Sequence, residues 1–135
     1  MGLNLKPFVV MSAEVAGRGV VENYHAQNEL VDLLTRLNFS FGEARGVYKG
    51  VEEMTVVVTL DVPDVTQQLN QLRGIAASFD QECILYVMSC RSAELVYPDG
   101  SHESLVGVWK EISKARASSF DGYTIRNGHY YAVTV

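Results

Sequence analysis

The chain is poor in the features that mark several function classes. Two cysteines, Cys83 and Cys90, are too few for a disulfide-stapled secreted domain, and their apolar setting points to a reducing compartment. Only three prolines interrupt a chain that is 47% hydrophobic and 20% charged, a balance that folds instead of staying disordered. Eleven Lys and Arg face sixteen Asp and Glu, a formal charge of −5. Nucleic acid and anionic membranes are therefore not expected partners, because each calls for a basic face. No apolar run approaches the roughly 20 residues of a bilayer span. Met1 to Lys6 lacks the basic start and apolar core of a signal peptide. His25, His102 and His129 are scattered without metal-ligand spacing, so no metal is expected. No G-x-S-x-G elbow is present, and Gly17-x-Gly19 lacks the third glycine and the lysine of nucleotide loops. The expectation is one small, soluble, acidic domain over residues 1–135, placed in the cytoplasm.

The apolar, β-prone segment Phe8 to Ala13 reads as a strand. A helix is expected from about Glu22 to Asn38, with Leu30, Leu33, Leu34 and Leu37 forming one buried stripe. Gly42, Gly46 and Gly50 punctuate a segment expected to be mobile, with a second strand within Phe39 to Tyr48. Met54 to Leu60 reads as a central strand, and Asp64 with Gln67 as a capping box opening a second helix that runs to Phe79. Cys83 to Ser89 is a further strand. Strand, helix, strand, strand, helix, strand is the order of a ferredoxin-like α+β fold, with two helices on one face of an antiparallel sheet. Turns at Tyr97-Pro98-Asp99-Gly100, Asp121-Gly122 and Asn127-Gly128 separate short strands at Ala93 to Tyr97, Leu105 to Ile112 and Tyr130 to Val135. These hairpins are expected to extend or cap the sheet. Its uncovered face is expected to be buried in an oligomer.

Glu52 and Glu53 open the apolar strand, and alternation sends one to each face. Either they are solvated gatekeeper charges, or one carboxylate lines a pocket and holds a cationic group. Tyr48 is either a hydrophobic anchor for the glycine-rich segment or part of the same rim. Asp80, Gln81 and Glu82 leave the second helix with acidic residues that oppose its dipole, a local conflict that hints at another constraint.

The block Phe79-Asp80-Gln81-Glu82-Cys83-Ile84-Leu85, followed by Ser89 and by Ala93-Glu94-Leu95-Val96-Tyr97, resembles the S-adenosyl-L-methionine (SAM) lyases of bacteriophages, once called SAM hydrolases. Met11-Ser12-Ala13, Tyr48 ahead of Glu52-Glu53, Gly107-Val108-Trp109-Lys110-Glu111 and Tyr123-Thr124-Ile125 extend the resemblance over most of the chain.

The resemblance implies a subunit related in shape to PII signalling proteins, a homotrimer with sites between subunits, and SAM as substrate without a cofactor. It implies that the substrate's own carboxylate attacks its γ-carbon, releasing 5′-methylthioadenosine and L-homoserine lactone, in an anti-restriction role. As catalytic residues, Glu53 would then bind the substrate ammonium and orient the chain, and Tyr48 would hydrogen-bond or pack near the sulfonium, neither acting as a base. Met11, Ser12, Glu52, Gln81 and Ser89 would bind substrate. Two competing readings remain: a PII-like trimeric sensor that binds an adenine nucleotide or SAM without chemistry, and an anti-restriction protein acting by contact.

Overall fold

The computed structural model describes residues 5–135, so most of the Met1 to Lys6 stretch lies outside the described residues. The first 87 residues run β1 (Phe8–Met11), α1 (Val20–Arg36), β2 (Ser40–Tyr48), β3 (Val51–Thr59), α2 (Thr66–Ser78) and β4 (Ile84–Val87). Then come β5 (Ser92–Val96), β6 (His102–Ile112), the short α3 (Lys114–Ala117), β7 (Gly122–Arg126) and β8 (His129–Thr134). All eight strands pair antiparallel and close on themselves in the order β1-β3-β2-β7-β8-β6-β5-β4.

Closure overturns the expected ferredoxin-like and PII-like open sheet. The C-terminal hairpins neither extend nor cap a flat sheet. Instead β6 runs from β5 to β8, and β7 joins β2, which turns the bare face inward. That face needs no oligomer to cover it, because the barrel fills its own interior with Phe8, Val10, Ala44, Val57, Val87 and Ala93, backed by Leu105, Trp109 and Val133. An eight-stranded barrel has a bore that side chains can just fill, or that holds one small ligand.

The two long helices lie outside. Val9, Met11, Val56 and Val58 alternate with the inward row and meet Leu30 and Leu34 of α1 and Leu69, Leu72 and Ile75 of α2. Leu30, Leu34 and Leu72 are wholly buried, each contributing about 1.5–3 kcal/mol. Leu37 leaves the expected stripe at the helix end, where it is 40% exposed, and Gln27 joins the buried face. Asp64 Oδ1 accepts from the Thr66 N–H at 2.9 Å, while Val65 takes the N-cap position.

The strand expected within Phe39 to Tyr48 is nine-residue β2, which takes up most of the segment expected to be mobile. Gly42 and Gly46 lie inside β2, on the inward face with Ala44, and the turn falls at Lys49-Gly50, both with positive φ (50° and 80°). Asn127-Gly128 makes the same kind of turn between β7 and β8. No helix among the described residues is long and apolar enough to cross a membrane.

Candidate active site at the carboxylate end of the barrel

Residues from three elements meet where β1 ends and β3 begins. Ser12 follows β1 directly and is buried. Its hydroxyl donates to the Met54 carbonyl at 2.7 Å and accepts from the Glu14 N–H at 3.0 Å. Glu14 Oε2 accepts in turn from the Met54 N–H. Gln81 Nε2 donates to the Glu14 carbonyl at 2.9 Å, tying the segment after α2 to the same corner. Asn23 braces the next residue from α1, accepting from the Val15 N–H at 3.0 Å and donating to its carbonyl at 3.1 Å. The chain after β1 is thus held as an ordered arm against β3, although it belongs to no regular element.

That arm brings Glu14 beside Glu53. Register puts Glu53 opposite Gly46, on the inward row with Thr55 and Val57, at the barrel's end. Its carboxyl is half-buried, and loss of water together with the neighbouring Glu14 charge raises its pKa to about 7. Two carboxylates at one rim, one of them desolvated, concentrate negative charge of the kind a cation would neutralise. Thr55, next inward, has a buried hydroxyl with no partner among the described residues.

The expected site residues separate into groups. Met11 is buried on the helix-facing row, and Ser12 and Gln81 are engaged in bracing Glu14. Tyr48 shares the inward face of the β2–β3 hairpin with Glu53 as its diagonal neighbour, roughly 7–8 Å away in such pairs. Tyr48 is 59% exposed, and its ring leans over Gly122 of β7 and lies 5.3 Å from the Lys49 ammonium. Glu52 points to the opposite face and pairs with Arg45 at 2.8 Å. Ser89 stands beyond the far end of β4, where Val87 pairs with Phe8, and is not brought to this corner. Sequence reasoning missed Glu14 and Thr55. Glu14 directly follows the Met11-Ser12-Ala13 stretch, which was the available signal. Among the described residues no group of three or more His, Cys, Asp or Glu is gathered to hold a metal.

Exposed apolar side chains surround this end. Val20, Val21 and Tyr24 open α1, and Tyr48, Val51 and Met54 flank the hairpin, all of them substantially exposed. No curated protein matches the chain. The model of the S-adenosylmethionine lyase family matches residues 9–134, a span that holds the arm, the carboxylate pair and nearly every strand. By that match the chain belongs to the S-adenosylmethionine lyase family.

Proposed function

We propose that the chain cleaves SAM by internal displacement, yielding 5′-methylthioadenosine and L-homoserine lactone. A carboxylate oxygen of the substrate forms a bond to its own γ-carbon as the C–S bond breaks. The electron pair passes to sulfur, which leaves as a neutral thioether, so no proton moves and no base is required. The observation that carries this reading is Glu53, a desolvated carboxyl beside Glu14 at the rim of a chain in this family.

Nucleophile and electrophile share one molecule, so the protein's task is to fold the substrate and exclude water. Orientation of that kind is worth roughly 7–11 kcal/mol. Glu53 binds the substrate ammonium, and the pair Glu14–Glu53 attracts the sulfonium cation. The same negative rim repels the substrate carboxylate and turns it toward its own γ-carbon. Tyr48 packs near the sulfonium, where its ring face suits a cation as it suits Lys49. Main-chain groups around Met11, Ser12 and Gln81 meet adenine and ribose, while the side chains of Ser12 and Gln81 hold the arm. Glu52 and Ser89 take no part in this reading, given where they lie.

The site is completed between subunits of a homotrimer, a reading supported by the open rim and by exposed Val20, Val21, Tyr24 and Val51 around it. In a host bacterial cytoplasm, such an enzyme would starve SAM-dependent restriction systems. Incubation with SAM and chromatography at early times tests the chemistry. Lactone appearing before homoserine is the expected result. Homoserine from the outset, carrying oxygen from labelled water on its γ-carbon, would establish hydrolysis instead, and saturable binding without turnover would leave a sensor.

A further inference from the structure

The opposite end of the bore holds a cavity whose chemistry differs from that of the carboxylate rim. Glu53 is separated from Val57 and Thr59 by four to six residues of β3, roughly 14–20 Å at about 3.4 Å per residue. There a cavity of about 400 Å³ is lined by Phe8, Trp109 and Tyr131, by Arg91 and Arg126, and by Thr124 among others. Its size falls within the range of small-ligand pockets.

The walls are aromatic and ordered. Trp109 stacks on Tyr131 with ring centroids 5.5 Å apart and meets Phe8 edge-on at 5.1 Å. The charged groups at this mouth are mostly cations. Lys6 pairs with Asp61 at 3.0 Å, and Glu111, the register partner of Tyr131, is taken up by His129 at 2.8 Å. Arg91 sits 5.3 Å over the Phe8 ring and donates to the Lys6 carbonyl at 3.0 Å. The Arg91 backbone has φ 72°, a left-handed conformation costly for a residue with a side chain, and its carbonyl accepts from the Trp109 N–H at 2.8 Å. Arg126 makes no ion pair among the described residues, and its guanidinium lies in the space left by the missing side chain of Gly42, within 3.0 Å of where a Cβ would stand. An acidic chain has thus brought two arginines and three aromatic rings to one cavity, with Arg91 over Phe8 and Arg126 beside Gly42.

We infer that this cavity is a second binding site, distinct from the carboxylate rim, for a small anion made of a flat aromatic ring carrying one phosphate or carboxylate. The ring lies against Trp109, Tyr131 and Phe8. Arg126 and Arg91 take the anionic group, and Thr124 and Thr59 border it with polar surface. A cation such as SAM is repelled here, so the two ends sort ligands by charge.

Trp109 is the chain's single tryptophan, so its fluorescence reports this cavity alone. Phenyl phosphate and benzoate are titrated against the intact protein, with phenol and inorganic phosphate as controls. Saturable quenching by at least one of the two aromatic anions is expected, with both controls at least about tenfold weaker, since the ring and the charge each add to binding. The stronger anion tells phosphate from carboxylate as the preferred group. Arg126→Gln is expected to weaken binding about tenfold, the worth of a hydrogen bond to a charged group, and Arg126→Lys to retain part of it. Melting temperatures of both variants close to the parent show that the fold is intact. Weak, non-saturating quenching by both anions, equal binding of phenol, or undiminished binding in a folded Arg126→Gln protein would each overturn the inference.

Discussion

The two ends of the barrel share strands but not chemistry. At one end Glu14 and Glu53 face each other across a rim, and the second carboxyl is pushed up to about 7. At the other, Arg91 and Arg126 line one cavity with Phe8, Trp109 and Tyr131. A net charge of −5 conveys neither arrangement, because the barrel segregates its charges along one bore. The inward face of β2 separates the ends. Gly42 leaves room for Arg126 at one end, while Gly46 lets Thr55 and Glu53 press close at the other. Small residues in one strand thus position both groups.

Replacement at the carboxylate rim should have the largest effect. Glu53→Gln keeps shape and removes charge, and kcat/KM for SAM is expected to fall by one to two orders of magnitude, the ~1.5–3 kcal/mol of a hydrogen bond to a charged group. Turnover that survives this change nearly intact would remove Glu53 from the mechanism. The same variant alters stability with a defined sign. The folded protein binds the Glu53 proton more tightly than the unfolded chain, so that contribution is complete below pH 4.5 and is lost as pH rises through about 7. Thermal melts of Glu53→Gln are therefore expected to exceed those of the parent at alkaline pH and to match them in acid.

Gly46→Ala tests the separating strand. Its Cβ would stand 2.8 Å from Thr55 Cγ2 and 3.8 Å from Glu53 Cγ, so overpacking should cost about 1–3 kcal/mol in denaturant unfolding. Glu14→Gln keeps a side-chain acceptor for the Met54 N–H while removing the charge that raises Glu53. The Glu53 pKa should move down only part of the way in a carboxyl-resolved NMR titration, because burial, the larger cause of its rise, remains, with a loss in kcat/KM of about tenfold or less. Glu52→Gln loses only an exposed pair with Arg45, and both its stability cost and its kinetic effect should stay under about 1 kcal/mol.

The sequence made local features legible. Element order through β4 follows from apolar periodicity, and the β7–β8 turn from Asn127-Gly128. Period-two alternation was enough to send Glu52 and Glu53 to opposite faces. Barrel closure was not legible, because the β2–β7 and β6–β8 pairings depend on which distant strands find each other after the local elements have formed. Gly42 and Gly46 looked like loop punctuation, since their role is the space they leave inside a bore that only closure creates. Glu14 escaped notice for a similar reason. Its partner is a backbone N–H forty residues later in the chain, which no local pattern marks.

The pH profile of kcat/KM for SAM, in the parent and in Glu53→Gln, tests the central claim most directly, because it reports ionisations of the free enzyme and free substrate. The account predicts that the parent's kcat/KM rises with pH through about 7, as Glu53 loses its proton and can hold the substrate cation. It should fall again as the substrate's α-amino group loses its proton, near 7.7–8.0 for an ordinary α-amine, roughly. The rising limb should be missing in Glu53→Gln. A parent profile without that limb, or one that Glu53→Gln reproduces at full height, would contradict the account.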